Sequence, residues 1–414
     1  MRRLALSLVV AAAVILLSAC EGSTQQPQPP ASSANSTVEP IPSDSPTPAA
    51  EVTQPVFLGN VTAIDQPGLY VLDPVSHAAW RIDSREGTSV LWSPLTNTLL
   101  RLGPGALGGG INEEQDADVV DLAAMSAHRG FIGYIWHGAW SADGAYLAFG
   151  TPEGVSTVRR DGSGLVRLVN VDARGGLAWS PRDDWIATAE RYAVRLTTPS
   201  AGSPRVISPE AGSSDYLGFS SWAPDGTRLL WCSAPSGGGS KVEAGAYVYD
   251  VDIGSTTKVN DNCGLKWGPD STTLTYASDN DIFIMNADGS GTRQLTEGAV
   301  VGGWSSDGAW LSYGTDSCET GDNDIYVVSR DGSTSFKVTN SPESLKESAS
   351  WSSAMDEIAY SVKLGDTSHA LQVVGVDGQP PKTALTSPFH IHAPTWSPDG
   401  RILSFTVGGG HGAC

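Results

Sequence analysis

One motif that contains a tryptophan near its start recurs eight times along the chain. Its clearest copies read AWSADGAYLAFG, SWAPDGTRLLWC, GWSSDGAWLSYG and TWSPDGRILSFT. The eight tryptophans are Trp92, Trp140, Trp179, Trp222, Trp267, Trp304, Trp351 and Trp396. Successive tryptophans are 37 to 48 residues apart, and repeats of about 40–50 residues are typical of propeller blades. The period therefore predicts one blade per unit, with the tryptophans as core packing residues.

Each unit carries the pattern of four antiparallel strands. A short apolar strand ends at the tryptophan, and a Ser-Pro-Asp-Gly type of sequence then predicts a tight turn, because Asp and Gly tolerate positive φ. Arg401–Phe405 shows the alternation of a half-buried second strand. Asp281–Met285 and Asp324–Val328 are third strands, and Arg293–Thr296 is a fourth strand that follows an Asp-Gly turn. No helical periodicity competes, so we predict an all-β fold of four-stranded antiparallel blades.

The two ends of the repeat region are incomplete in complementary ways. The last unit, which starts at Trp396, supplies only two strands before Cys414. Gly68–Leu72 and Trp80–Ile82 have the pattern of third and fourth strands without a preceding pair. Pairing the N-terminal strands with the C-terminal ones would complete a last blade and remove the open edges.

The number of blades follows from the number of copies. Eight copies predict eight blades. The copies at Trp92, Trp179 and Trp351 read SPLTN, SPRDD and SSAMD where the best ones read SPDG or a close variant. If one of these degenerate copies were only a connection between blades, the ring would have seven blades, which is the alternative.

In the better copies, three short elements follow one another in a constant order. They are a turn such as WSPDG, a strand such as IYV and a second turn such as ADG. At these residues the chain resembles the WD-repeat-like propeller unit of TolB-type proteins, over roughly residues 60–414. In that family the propeller is a docking surface. The resemblance therefore implies a protein partner in the cell envelope and no catalytic residue.

The N-terminus has the features of an export signal. Arg2 and Arg3 precede an apolar run from Leu4 to Leu17, which is too short to span a bilayer. The run ends in Leu-Ser-Ala-Cys at Cys20, which resembles the lipobox of bacterial lipoproteins. This resemblance implies a signal peptide at residues 1–19 and a lipidated Cys20 that anchors the chain to a membrane.

The next segment, residues 20–55, is predicted to be a disordered tether. It contains eight prolines, with Ser, Thr, Gln and Ala as most of the remainder, and cannot bury enough apolar surface to fold. Residues 56–414 then form the propeller. The expected location is the cell envelope, facing the periplasm or the exterior, with the inner membrane, the outer membrane or a single Gram-positive membrane as alternatives for the anchor.

The charge of the chain excludes one class of partner. With 45 acidic and 25 basic side chains, the formal net charge is −20. Phosphate backbones repel such a polyanion, so we expect no binding to nucleic acid. We expect a monomer that needs no cofactor.

Antiparallel order divides the connections between two faces. With strands a to d named from the axis outwards, the short a–b and c–d turns lie on one face, called here the turn face. The b–c and d–a connections lie on the other, called here the loop face. The long connections of the loop face are Gly103–Asp116, Pro209–Tyr216, Pro235–Ala244, Thr315–Asp322 and Pro342–Ser348. Because function on rigid scaffolds is concentrated in loops, we expect binding there, with Asp215 and Tyr216 among the candidates.

Four cysteines besides Cys20 fall on the loop face. An even number of cysteines in an exported chain indicates disulfides. Cys232 and Cys263 belong to adjacent units and are the favoured pair. Cys318 and Cys414 would then pair by elimination, although they must reach across two blades. Unpaired thiols are the alternative.

Three histidines are the strongest candidates for chemistry. His390 and His392 are predicted in a d–a connection, and His411 follows a b strand on the same face. Imidazole suits divalent metals such as Zn, Mn or Fe. Some TolB-related propellers, such as oligogalacturonate lyases, bind a metal through histidines at the channel mouth, so a metal-dependent polysaccharide lyase or another carbohydrate-active enzyme is the alternative function. A solute-binding or sensing module is a third. No G-x-S-x-G or His-Glu-x-x-His motif is present.

Overall fold

The computed structural model describes residues 52–94, 97–103, 115–168, 173, 175–182, 185–190, 193–200, 204–208, 217–234, 242–298, 300–314, 324–339 and 349–409. Within these residues the chain forms 33 strands in eight sheets, and it forms no helix. The all-β prediction is therefore confirmed. No helix in this part of the chain is long and apolar enough to cross a membrane.

The chain enters and leaves the ring in the same sheet, blade 8, and the other blades are numbered in chain order. Blade 8 contains β1 (Val56–Asn60), β2 (Gly68–Leu72), β3 (Ala78–Asp83), β32 (His390–Trp396) and β33 (Leu403–Gly408). Blade 1 contains β4 (Ser89–Trp92), β5 (Thr98–Leu102), β6 (Gln115–Asp121) and β7 (Ser126–Gly133). Blade 2 contains β8 (His137–Trp140), β9 (Tyr146–Thr151), β10 (Gly154–Arg159) and β11 (Val166–Leu168). Blade 3 contains β12 (Leu177–Trp179), β13 (Ile186–Ala189), β14 (Val194–Thr197) and β15 (Arg205–Val206).

The remaining four blades follow the same plan. Blade 4 contains β16 (Leu217–Trp222), β17 (Arg228–Ser233), β18 (Gly245–Asp250) and β19 (Ser255–Asn260). Blade 5 contains β20 (Lys266–Trp267), β21 (Thr273–Ser278), β22 (Asp281–Asn286) and β23 (Arg293–Glu297). Blade 6 contains β24 (Val300–Trp304), β25 (Trp310–Gly314), β26 (Ile325–Ser329) and β27 (Ser335–Lys337). Blade 7 contains β28 (Ala349–Trp351), β29 (Glu357–Lys363), β30 (His369–Gly375) and β31 (Lys382–Ser387).

The blade count and the closure predicted from the sequence are both confirmed. The degenerate units at Trp92, Trp179 and Trp351 each form a complete four-stranded sheet, so the ring has eight blades and not seven. In blade 8 the C-terminal β32 and β33 supply strands a and b, and the N-terminal β2 and β3 supply strands c and d. The two chain ends meet where β2 pairs antiparallel with β33, with Leu72 opposite Leu403.

Blade 8 also has a fifth strand, which the sequence pattern did not reveal. Strand β1 pairs antiparallel with β3 on the outer edge of the blade. It is held partly by Phe57, whose ring centroid lies 5.4 Å from that of Trp80. Four of its five residues are exposed, so the strand lacks the alternation by which a half-buried strand is recognised.

The core of the molecule lies between the blades. Eight apolar clusters are present in the described residues, one at each interface between neighbouring blades. The cluster between blades 7 and 8, for example, contains Leu371, Leu385, Tyr70 and Phe405, all nearly inaccessible to solvent. Each blade thus buries both of its faces against its neighbours, as a closed ring of sheets allows.

The repeated tryptophans link the blades by hydrogen bonds as well as by packing. Four donate the indole N–H to a main-chain carbonyl of the preceding blade: Trp140 to Leu91 at 3.1 Å, Trp222 to Ala178 at 3.3 Å, Trp267 to Ser221 at 3.3 Å and Trp396 to Ser350 at 2.9 Å. Two donate to a serine hydroxyl at 3.0 Å: Trp92 to Ser404 and Trp351 to Ser312. The indole N–H groups of Trp179 and Trp304 have no acceptor among the described residues.

This difference gives a paired test of the indole hydrogen bond. Trp396→Phe and Trp304→Phe remove a similar apolar area, but only Trp396 donates a hydrogen bond to the described part of the chain. We expect Trp396→Phe to lower the free energy of unfolding by about 1 kcal/mol more than Trp304→Phe, which is the usual net contribution of one hydrogen bond. Urea denaturation followed by circular dichroism measures the difference. Equal losses in the two variants would contradict the linking role.

The turn face is built from short turns whose polar groups satisfy one another. In the a–b turn of blade 2, the hydroxyl of Ser141 donates to Asp143 at 2.6 Å, and Asp143 accepts the backbone N–H of Ala145 at 2.9 Å. Gly144 has a φ of 64°, which a residue with a Cβ rarely adopts. The Ser-x-Asp-Gly sequence thus supplies one hydroxyl donor, one acceptor and one left-handed residue in each such turn.

Hydrogen bonds to these aspartates lower their pKa values. Bonds from Ser141 and Ser305 lower the pKa of Asp143 and Asp307, and bonds from Ser290 lower that of Asp288. Hydrogen bonds from Ser329 and Ser333 lower the pKa of Asp331 to about 2. These carboxylates are therefore stabilised in their charged form in the folded state.

The lowered pKa values predict sensitivity to acid. A carboxylate whose pKa is lower in the folded state than in the unfolded state stabilises the fold at pH values above its unfolded-state pKa. This contribution is lost as the pH falls toward the folded-state pKa. We expect the melting temperature to be flat above about pH 5 and to fall steadily toward about pH 2. Differential scanning calorimetry across that range measures it. Replacing Asp143, Asp288, Asp307 and Asp331 together with Asn should flatten the decline, and an unchanged decline in that variant would contradict the assignment.

Candidate functional site: the loop face

The b–c and d–a connections lie on one face of the ring, because successive strands of every blade run in opposite directions. The centres of the long connections lie outside the described residues. The predicted functional residues that fall there are Asp215, Tyr216, His411, Cys318 and Cys414, and Cys20 is likewise outside. The site is therefore built from the residues that surround these connections.

A disulfide joins two blades on the loop face. Cys232 lies in β17 of blade 4, and Cys263 lies three residues before β20 of blade 5. Their Cα atoms are 5.5 Å apart, and the structure joins their sulfur atoms. This is the pair that the sequence favours. The bond fixes the connection between blades 4 and 5 close to the inner strands.

The predicted histidines are in a strand and not in a connection. His390 and His392 are the first and third residues of β32, where they pair with Gly408 and Thr406 of β33. The prediction of a d–a connection was wrong here, because strand a of blade 8 begins earlier than its apolar residues indicate. The spacing of two residues places both side chains on the same side of the strand, and their rings stack with centroids 5.6 Å apart.

A third histidine extends this group. His369 begins β30 of blade 7, and its buried ring lies 4.0 Å from that of His390, centroid to centroid. The sequence pattern did not reveal it, because a single histidine at the start of a predicted strand carries no signal of its own. We call His369, His390 and His392 the histidine stack.

The histidine stack does not have the geometry of a metal site. The rings of His390 and His392 are nearly parallel, at 7°. Parallel rings direct their nitrogen atoms along separate planes, whereas a metal needs ligands that converge on one point. Among the residues that the structure describes, no group of three or more His, Cys, Asp or Glu is arranged to hold a metal ion. The third ligand that the sequence suggested, His411, is outside that set.

A buried ion network lies where blade 8 meets blade 1. The guanidinium of Arg101, on β5, is 1% exposed and forms an ion pair with Asp118, on β6, which is fully buried. Its Nε lies 3.5 Å from the carboxylate of Asp83, which is also buried, at the end of β3. The same guanidinium donates to the carbonyl oxygens of Thr53 and Ile82 at 3.1 and 3.0 Å. Arg101 thus holds together blade 1, blade 8 and the N-terminal segment.

The network continues outwards to the loop face. Arg85 donates to Asp83 and to Asp116 at 2.7 and 3.0 Å, and Arg129 lies 2.6 Å from Asp118. Burial raises the pKa of Asp118, against the opposing effect of its arginine neighbours. Burial alone would also raise the pKa of Asp116, but hydrogen bonds and charge from Arg85 lower it below its usual value. The sequence signal for this network was the presence of charged residues inside two apolar strands, TLLRL and QDADVVD.

Large apolar side chains are exposed on both faces. Ile132 at the end of β7, Val300 at the start of β24 and Leu364 after β29 lie on the loop face and are 45%, 57% and 42% exposed. Val75 and Ile253 lie in c–d turns of the turn face and are 78% and 76% exposed. Substitutions at these exposed apolar residues therefore allow the binding properties of the two faces to be compared.

The comparisons with known proteins agree with this architecture. A family model described as the TolB beta propeller domain matches residues 213–413. The matched region is a little under half of the chain and contains blades 4–7 with strands β32 and β33 of blade 8, and this region is similar to the TolB propeller. Among curated proteins, this chain is 52% identical over 48 residues to the Tol-Pal system protein TolB of Bordetella avium (strain 197N). That match spans 12% of this chain and 11% of the relative.

Solved structures show the same fold at low identity. The propeller superposes on dipeptidyl peptidase 4 of Porphyromonas gingivalis with a TM-score of 0.56 and 11% identity, covering 72% of this chain and 53% of that one. It superposes on oligogalacturonate lyase of Vibrio parahaemolyticus with a TM-score of 0.51 and 13% identity, covering 77% of this chain and 99% of that one. At these identities the likeness shows the fold alone.

Proposed function

We propose that this protein is a monomeric lipoprotein of the cell envelope, held at a membrane through Cys20, whose propeller docks another envelope protein on its loop face. The observation that carries the proposal is the difference between the two faces. The aspartates and serines of the turn face bond largely within their own turns. The loop face carries the long connections, the disulfide and the histidine stack.

Family and charge support the same function. The curated relative is named as a protein of the Tol-Pal system, which supports a role beside other envelope proteins. The net charge of −20 favours a basic protein partner over nucleic acid. Docking of this kind needs no cofactor. The parallel rings of His390 and His392 do not favour the metal-dependent lyase that the sequence also suggested.

The test compares the two faces in the native envelope. Full-length protein is crosslinked in its own cells and purified, as wild type, as the loop-face variant Ile132→Lys/Val300→Lys/Leu364→Lys, and as the turn-face variant Val75→Lys/Ile253→Lys. We expect one protein to be enriched with the wild type and the turn-face variant, and to be lost at least about tenfold with the loop-face variant, because three lysine charges placed in a docking interface would have to be desolvated without partners. Equal recovery with both variants, or no enriched protein at all, would contradict docking on the loop face.

The anchor is tested in the same strains. With Cys20→Ser the protein should move from the membrane fraction to the soluble fraction and should no longer incorporate an alkyne-labelled fatty acid. Cys318→Ser serves as the control because it keeps the lipobox cysteine. A Cys20→Ser protein that still sediments with the membrane would refute lipid anchoring at this residue.

A further inference from the structure

The N-terminal segment forms one wall of a cleft at the outer part of the loop face. Residues 61–67 connect β1 to β2 and run beside β31, the outermost strand of blade 7. The N–H of Ile64 donates to the carbonyl of Thr386 at 2.9 Å, and the N–H of Thr386 donates to the carbonyl of Thr62 at 2.9 Å. These bonds tie the segment in parallel to β31 and enclose a cleft of about 400 Å³ between blades 7 and 8.

The polar side chains among the residues that line the cleft are hydroxyls and one carboxylate. Four residues with hydroxyl side chains are among those that line it: Thr367, Ser368, Thr386 and Ser387. The hydroxyl of Thr386 also donates to the carbonyl of Thr62 at 3.2 Å, and that of Ser387 accepts the backbone N–H of Phe389 at 3.0 Å. Asp65 adds a carboxylate at its edge, and Ile64 and Pro388 add apolar surface. No cationic side chain is among the residues that line it. Within the described part of the chain, the carboxylate of Asp65 has no hydrogen bond or ion pair.

This lining selects one class of ligand. Phosphates, uronates and acidic side chains are disfavoured, because nothing in the wall would neutralise them and Asp65 would repel them. An ammonium or guanidinium group would find a carboxylate and several hydroxyl acceptors. Its aliphatic stem would lie against Ile64 and Pro388, as the stems of long basic side chains do at apolar surfaces.

We propose that this cleft binds a lysine or arginine side chain that the docking partner presents, so that it selects the partner by a basic residue. The proposal rests on the proposed docking function and names the chemistry of the partner. The net charge of −20 would draw such a basic surface toward the propeller before contact.

The cleft can be tested without the partner. The full chain, labelled with ²H and ¹⁵N, is titrated with N-acetyl-arginine amide and N-acetyl-lysine amide, and with the neutral N-acetyl-glutamine amide as the control ligand. We expect saturable shifts of the backbone amide signals of Ile64, Ser368 and Ser387 with at least one basic ligand and not with the neutral one. Asp65→Asn should weaken that binding about threefold to tenfold, as expected for one partly exposed charge pair.

Asp366→Asn is the matched control variant. Asp366 lies one residue before Thr367 but does not line the cleft, so this variant should bind as the wild type does. Because the side chain of Asp65 makes no hydrogen bond in the described structure, Asp65→Asn should keep the melting temperature of the wild type. Equal binding of the neutral ligand, absence of shifts, or unchanged affinity in Asp65→Asn would each overturn the proposal.

The crosslinking experiment separates this proposal from the docking function. If a partner is captured and Asp65→Asn captures it as well as the wild type does, docking stands and the cleft proposal fails. If no partner is captured by the wild type, the docking function fails, and the titration alone decides whether the cleft binds basic side chains. Loss of capture in Asp65→Asn with normal capture in Asp366→Asn supports both.

Discussion

Replacing Arg101 with methionine is expected to lower the free energy of unfolding by about 3–5 kcal/mol, because it takes a buried cation away from two buried carboxylates and leaves two carbonyl oxygens without their donor. Among the described residues, Asp118 then keeps only Arg129 as a cationic partner, and Asp83 keeps only Arg85. Asp118 is fully buried and Asp83 is 1% exposed, so water cannot solvate either carboxylate in place of the lost guanidinium. The guanidinium also satisfies the carbonyls of Thr53 and Ile82, which would lose their donor. Equilibrium denaturation in urea, followed by circular dichroism, measures the loss.

A surface ion pair provides the control for this prediction. Arg167 lies 3.6 Å from Glu153, and both side chains are more than a third exposed. Arg167→Met should therefore cost only about 0–1 kcal/mol. Adding Asp118→Asn to Arg101→Met should recover part of the loss, since it removes a buried charge that has lost one of its two arginine partners. If Arg101→Met cost no more than Arg167→Met, the network would not hold blades 8 and 1 together.

Replacing both Cys232 and Cys263 with alanine is expected to lower the free energy of unfolding by about 3–4 kcal/mol, from the chain entropy that a loop of this length regains in the unfolded state. The two cysteines are separated by 31 residues, and the bond joins two neighbouring blades. Urea denaturation under oxidising conditions compares the variant with the wild type. A variant as stable as the wild type would show that the bond does not form in solution.

Reducing agent supplies an internal control and tests the second predicted pair. Dithiothreitol should destabilise the wild type by about as much as the double substitution does, since both remove the same crosslink. If the variant itself is destabilised further by dithiothreitol, a second disulfide is present, as the prediction for Cys318 and Cys414 requires. If it is not, those two cysteines are unpaired.

The propeller could be read from the sequence because its signals are local. The Ser-x-Asp-Gly turns contain their own hydrogen-bond partners, as Ser141 and Asp143 show, so each turn needs only a few consecutive residues. Strand alternation at Arg401–Phe405 and the apolar run at Gly68–Leu72 likewise need no distant information. The closure of the ring was also predictable, because the edge strands of two incomplete units can be paired only if the units join.

The candidate site was only partly predictable, for a physical reason. The pair Cys232–Cys263 was predictable because adjacent units fix the distance between neighbouring blades. The ring contact between His369 and His390 was not, because it depends on how blade 7 faces blade 8. Nor was strand β1, whose exposed residues follow no alternation and are placed by pairing with β3.

By itself, the sequence determined the class of fold, the eight blades, the closure of the ring and the division into a turn face and a loop face. Those features depend on turn chemistry and on strand periodicity, which act between residues close in the chain. Only the tertiary structure decided that Arg101 would be the shared cation of two blades. It also decided that residues 61–67 would close a cleft lined by Asp65 and blade 7. The cleft arises where segments more than 300 residues apart in the chain are brought side by side. Arg101 and Asp83 are close in the chain but meet across the boundary between two sheets, and no local pattern records which groups will meet at either place.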